Sequence, residues 1–158
     1  MYTATRVSDI KNKTVEQLRK LKDIGVNEIS LGVESGDDWT LKRINKGYTA
    51  ALYDGLHMTM VNTSMLTVVP GTPLYRAMEK GLYTESTEKE KLEEIHELVR
   101  CLSNDTIFMN EHASNLFHVQ CRLPEAKEEL LAYIQKFMES SDEKELCQYR
   151  ERVTRAFR

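Results

Sequence analysis

Two short turns carry the residue types best suited to chemistry, Glu34-Ser35-Gly36 and Pro70-Gly71-Thr72. A carboxylate accepts hydrogen bonds from a diol or from backbone N–H groups. Each turn follows an apolar run that reads as a strand, and in parallel α/β folds ligands gather at the carboxyl ends of the strands. Both turns would then share one rim. Equally, both suit ordinary loops, and the pattern alone leaves the two readings open. Lys46 follows Glu34 by twelve residues. It offers either a mobile cation for an anionic ligand or a plain partner for the negative end of a helix.

Other polar residues carry weaker signals. His112, Asn115 and His118 lie near a presumed strand and suit a substrate pocket, although core or surface polar groups of this kind are commoner. His57 and His96 have no carboxylate or cysteine at metal-ligand spacing. Asp37 and Asp38 are adjacent, which fits helix capping better than an acid/base pair. Arg150, Arg152, Arg155 and Arg158 make the tail locally basic, the mark of a solvated helix face more than of a site for an anionic partner.

The elements that must position these residues follow from periodicity and caps. Residues 1–6 alternate weakly and suit a short strand. Thr14 and Gln17 have capping-box spacing before an apolar stripe of Val15, Leu18 and Leu21, and Gly25 is a natural helix stop. The run 26–33 reads as a buried strand. Asp37 or Asp38 starts a short helix ending near Gly47, and Thr49 caps another running towards residue 60. The run 65–69 predicts a second strand, stopped by Pro70-Gly71-Thr72-Pro73, with a helix over 74–80 after it.

Further on, Thr87 and Glu90 open a helix carrying Leu92, Ile95, Val99 and Leu102 on one stripe, and 107–109 suits a strand. Pro124 is placed to start a helix with Leu130, Ile134, Phe137 and Met138 facing inward, and a charged helix spans roughly 142–156. The two strand–loop–helix units, at 26–45 and 65–80, predict an α/β fold with parallel strands. The polar stretch 82–90 is the one candidate boundary. It separates 1–81, carrying the strands, from a mainly helical 82–158 packed on it.

Composition narrows the function classes. The 158 residues include 41% hydrophobic and 30% charged residues, which suits a folded domain with a core. A net charge of −3 gives no whole-molecule case for binding nucleic acid. No apolar run reaches membrane-spanning length, so no membrane partner is expected. Cys101, Cys121 and Cys147 are odd in number and far apart, and the start has no apolar secretory core. Reduced thiols in a cytoplasmic protein are the expectation.

The phrase Ile29-Ser30-Leu31-Gly32-Val33-Glu34-Ser35-Gly36-Asp37-Asp38, with Leu41, Asn45, Lys46, Gly47 and Tyr48 after it, resembles the fourth-strand segment of radical S-adenosylmethionine (radical SAM) enzymes. Similar wording, with Gln in place of Glu34, occurs in the oxygen-independent coproporphyrinogen oxidases. Val68-Val69-Pro70-Gly71-Thr72-Pro73-Leu74-Tyr75 is similar to the sixth-strand exit of that superfamily. With the stretches around His112-Ala113-Ser114-Asn115 and Leu123-Pro124, the resemblance covers most of the chain.

It implies an incomplete radical SAM (TIM-like) barrel with a helical C-terminal half. In it, Glu34, beside Ser35, would accept the SAM ribose hydroxyls, and Lys46 would approach the SAM carboxylate or ribose. Val69 and the backbone beside Pro70 would pack against adenine. The family reaction is reductive cleavage of SAM to a 5′-deoxyadenosyl radical.

That reaction needs a 4Fe–4S cluster held by three cysteines in a Cys-x3-Cys-x2-Cys loop, and this sequence has no such run. Its three cysteines stand too far apart and in the wrong half, so the cluster is not expected here. The barrel also looks shortened: residues 1–6 suit the remains of a third strand. Only Val61-Asn62-Thr63-Ser64 stands where the family has a further strand and helix. An inactive fragment of the family is the first expectation. The alternative is a non-catalytic interaction or oligomerisation module, which would cover its open strand edges by pairing as a homo-oligomer.

Overall fold

The structure is a computed structural model that describes residues 1–35, 38–43, 45–49 and 58–155. The chain divides into two compact units, Met1–Leu56 and His57–Arg158. The polar stretch 82–90 runs inside the second unit.

In the first unit, β1 (Tyr2–Arg6), α1 (Val7–Lys11), α2 (Val15–Asp23), β2 (Glu28–Gly32) and α3 (Asp38–Arg43) follow in order. Thr14 caps α2 as its spacing predicts, its hydroxyl accepting from Gln17 N at 3.2 Å while the Gln17 side chain accepts from Thr14 N at 2.9 Å. Gly25 at φ +94° turns the chain back, and Val26 N closes the helix end on Leu21 O at 2.9 Å. The return brings β2 alongside β1 in parallel, with Tyr2 opposite Glu28 and Arg6 opposite Gly32. One short helix was not legible in the sequence. In α1, Asp9 accepts from the Thr5 hydroxyl at 2.9 Å and from Arg6 N at 3.3 Å, which starts a helix where the alternation of β1 ends.

The second unit contains β3 (Met60–Asn62), α4 (Pro73–Glu79), α5 (Glu88–Cys101), β4 (Thr106–Met109), β5 (Gln120–Leu123), α6 (Lys127–Ser140) and α7 (Glu143–Arg155). Its sheet has the order β3-β4-β5, with β3 parallel and β5 antiparallel to β4. The capping box of Thr87 and Glu90 opens α5, whose Leu92, Ile95 and Val99 enter the core. Phe108 from β4, Leu123 from β5 and Leu130 and Ile134 from α6 meet them there.

The mixed α/β class agrees with the sequence reading. Among the described residues the strands form one two-stranded and one three-stranded sheet, and no closed barrel.

Several expectations need correction. The strand expected over 65–69 is not one: the strand is Met60–Asn62, and 63–69 runs on without ladder partners among the described residues. The expected second strand–loop–helix unit therefore starts from a different strand. The helix placed after Pro124 begins at Lys127, because residues 124–126 form a turn in which Ala126 N donates to Arg122 O. The C-terminal part is helical but also supplies β4 and β5. The helix expected from Thr49 falls mostly on 50–57, outside the described residues, and residue 60 already belongs to β3. Asp37 lies outside them too, whereas Asp38 is the first residue of α3.

Candidate functional site

The carboxyl end of β2 collects three of the residues that the sequence reading brought forward, Glu34, Ser35 and Lys46. The chain leaves β2 at Gly32, and Glu34 adopts φ +68°, a left-handed conformation that non-glycine residues rarely take. Its carboxylate folds back, and a Cβ built at Gly32 would lie 2.9 Å from Glu34 Oε1. A side chain at position 32 would therefore push the carboxylate aside.

After α3, the backbone passes through two more left-handed residues, Asn45 at φ +56° and Gly47 at φ +76°. Between and after them stand Lys46 and Tyr48, both reaching back to the strand end. Lys46 Nζ lies 2.7 Å from Glu34 Oε1, and the Tyr48 hydroxyl donates to Gly32 O at 3.0 Å. The pair is partly open to water, with 28% of the lysine and 43% of the glutamate side chain exposed.

Chemically, this end of the strand presents a carboxylate acceptor and a cation within one contact of each other. That pairing suits a ligand with hydroxyl donors next to an anionic group. Ser35 is half-buried, with its N–H directed to Val33 O at 2.9 Å. Tyr48 stood inside the motif with no role assigned. Its position two residues beyond Lys46 is the signal that it shares the same return path.

Val69 and Pro70 belong to the second unit. Both are exposed, Val69 at 44%. Val69 O accepts from Thr72 N at 3.3 Å and from the Thr72 hydroxyl at 2.7 Å, which makes the turn that starts α4.

The second unit also holds polar residues with positions the sequence did not signal. Asn115 is 1% exposed, and its amide spans the backbone of 63–65. Its Oδ1 accepts from Met65 N at 2.8 Å and its Nδ2 donates to Thr63 O at 2.9 Å. Asn110 donates to Phe117 O at 2.8 Å and accepts from the Thr63 hydroxyl. Asn115 is thus a structural clamp and not a pocket residue, while His112 pairs with Ser114 at 2.8 Å in the turn that leads to it.

Arg150 is a correction as well. It is buried at 6%, not on a solvated face, whereas Arg152 and Arg155 are exposed and residue 158 lies outside the described residues. Arg150 meets Glu88 at 3.3 Å and Glu85 at 3.7 Å, and Lys91 meets the same two carboxylates at 2.8 Å each. The buried Glu88, Lys91 and Arg150, with the partly exposed Glu85, thus balance two carboxylates against two cations, as buried charges must. Burial pushes the nearby Tyr83 phenol up, and the Glu85 carboxylate adds to that.

A groove of about 470 Å³ lies between α5 and α6, lined by Glu93, His96, Glu97, Gln135, Met138 and Glu139 among others. Two of its carboxylates have partners: Glu97 pairs with Arg100, and Glu139 accepts from Gln135 at 2.7 Å. His57 lies outside the described residues. Among those described, no three His, Cys, Asp or Glu residues form a group able to hold a metal ion. Cys101 and Cys147 are exposed, on α5 and α7, and Cys121 is half-buried on β5. Burial pushes the Cys121 and Cys147 thiols up, with Glu129 and Glu143 respectively adding to it. The sequence spacing of the three cysteines is not that of the close triad that holds a 4Fe–4S centre.

No family model, no curated protein and no solved structure matches this chain. No helix among the described residues is long and apolar enough to cross a membrane.

Proposed function

We propose that the chain derives from a radical SAM barrel and that its first unit keeps a nucleoside-binding rim at the end of β2. In this reading Glu34 accepts the ribose hydroxyls, and Lys46 faces an anionic group on the same ligand. SAM is the ligand that the motif resemblance suggests. The observation that carries the reading is the 2.7 Å contact between Lys46 and Glu34, twelve residues apart, at the carboxyl end of a parallel strand. The left-handed Glu34 supports it, since residues held in sparsely populated backbone conformations cluster at binding sites. Val69 and Pro70 are assigned to the adenine side by resemblance alone. The cysteines do not fit the cluster, so the proposed activity is binding, without cleavage of SAM.

Isothermal titration with SAM and with S-adenosylhomocysteine tests this. Wild type should give a measurable heat, and Glu34→Ala should weaken binding roughly tenfold to hundredfold, the loss expected for one charge-assisted hydrogen bond. Equal heats for the two proteins would reduce Glu34 to a turn residue.

One observation favours a second reading, the interaction module. Among the described residues β1 and β2 pair only with each other, and unpaired strand edges template association. Light scattering separates the cases: a concentration-independent mass of 18.3 kDa would rule out obligatory pairing.

A further inference from the structure

Segment 63–69 links β3 to the turn before α4, and its composition is that of a strand: Met65-Leu66-Thr67-Val68-Val69. Yet past Thr63, whose N–H still reaches Met109 O at 3.0 Å, no ladder holds it among the described residues. Two buried side chains do. Asn115 binds the N–H of Met65 and the carbonyl of Thr63. Arg150 donates to the carbonyl of Leu66 and, at 3.5 Å, to the Thr67 hydroxyl.

Arg150 is itself held by Glu88 and Glu85, whose other cation is Lys91. Only Met65 and Val68 of the segment are buried, while Leu66 and Val69 are about half exposed. A strand in a ladder cannot leave without unpairing its neighbour. A segment held by side chains can, since the β3-β4-β5 ladder keeps its own hydrogen bonds so long as Thr63, bonded to Met109 O and to Asn110, stays in place as the hinge.

We propose that 64–69 is a strap that opens as one unit about Thr63, with Arg150 and its ion cluster as the catch. Opening uncovers the core positions of Met65 and Val68 and releases the turn 69–72 that starts α4. The device does not depend on nucleoside binding at Glu34, since every group in it belongs to the second unit.

Amide hydrogen exchange of the full chain tests the strap, with the Met65 N–H as reporter. That group is bonded to Asn115 and makes no contact with Arg150, so it senses the catch only if the strap moves as a whole. The ladder groups Ile107 N–H, bonded to Thr59 O at 3.0 Å, and Asn110 N–H, bonded to Val119 O at 2.9 Å, are the references. In wild type at low guanidinium, Met65 should exchange at a rate independent of denaturant, while Ile107 and Asn110 exchange more slowly and accelerate with it. In Arg150→Gln, Met65 exchange should rise about tenfold or more above any rise at the references. A wild-type Met65 that tracks Ile107 and Asn110 would overturn the strap, and so would an Arg150→Gln protein in which all three rise equally or Met65 is unmoved. Should Arg150→Gln fail to fold, the wild-type denaturant dependence decides alone.

Discussion

The two units of this chain are stabilised by different means. In His57–Arg158, eleven buried apolar residues from β4, β5, α5, α6, α7 and the connecting segments form one cluster. In Met1–Leu56, only Val7, Val26 and Leu41 are buried apolar residues among those described. There the order comes from local devices: a capping box, a left-handed glycine, a parallel pair of five-residue strands and an exposed ion pair. A cluster gains with each methyl group it buries, whereas caps and surface pairs are each worth about 1 kcal/mol or less. The candidate ligand site lies in the unit with the local devices, where side chains are least constrained by packing.

Mutations that attack the two kinds of support should therefore differ in size. The largest effect falls on the cluster. Phe108 is fully buried at its centre, so Phe108→Ala should cost about 3–5 kcal/mol, read from guanidinium unfolding followed at the β4 amides. A loss below about 1 kcal/mol would mean that the cluster does not dominate the second unit.

Next comes Glu143, which caps α5 from another helix by accepting from Glu88 N at 2.7 Å and Lys89 N at 3.1 Å. Burial alone would raise its carboxyl, but these two N–H groups, with the Cys147 thiol and the Lys89 charge, together outweigh burial and hold it below the ordinary value of 4.5. A carboxyl lowered on folding adds stability above its unfolded value, and loses it as pH falls through the lowered folded one. Glu143→Gln should thus cost about 1 kcal/mol at neutral pH, as helix caps do, and the gap to wild type should close below pH 4.5. A gap that is flat with pH would show that the charge is not what caps α5.

In the first unit, Gly25→Ala should cost about 1 kcal/mol, because φ +94° strains any residue with a Cβ. Urea unfolding followed at the β2 amides measures it, and a neutral result would mean that the turn relaxes. The smallest effect belongs to the Glu34–Lys46 pair. A double-mutant cycle with Glu34→Gln and Lys46→Met should give a coupling of about 0.2–1 kcal/mol that shrinks with added salt, as for other exposed pairs. A larger, salt-insensitive coupling would show that the pair is more structural than its exposure suggests.

What could be read from the sequence was whatever is encoded by neighbours along the chain. Thr14 with Gln17 and Thr87 with Glu90 placed two helices correctly, because a capping box needs only four consecutive residues. Motif resemblance assigned Glu34 and Lys46 to one ligand, but their direct contact, made by the turn through Asn45 and Gly47, was not among its implications. The failures concern residues whose partners are remote. The run 65–69 has every local mark of a strand, yet β4 already pairs with β3 and β5, so no β4 edge remains for it. Asn115 and Arg150, about 50 and 84 residues away from the backbone groups they bind, hold that segment instead. Arg150 looks like any surface arginine on a charged helix, and only the convergence of α5, α7 and 63–69 decides that it is buried. Local hydrogen-bond geometry is written in adjacent residues, but ladder partners and buried charge balance exist only once distant segments have met.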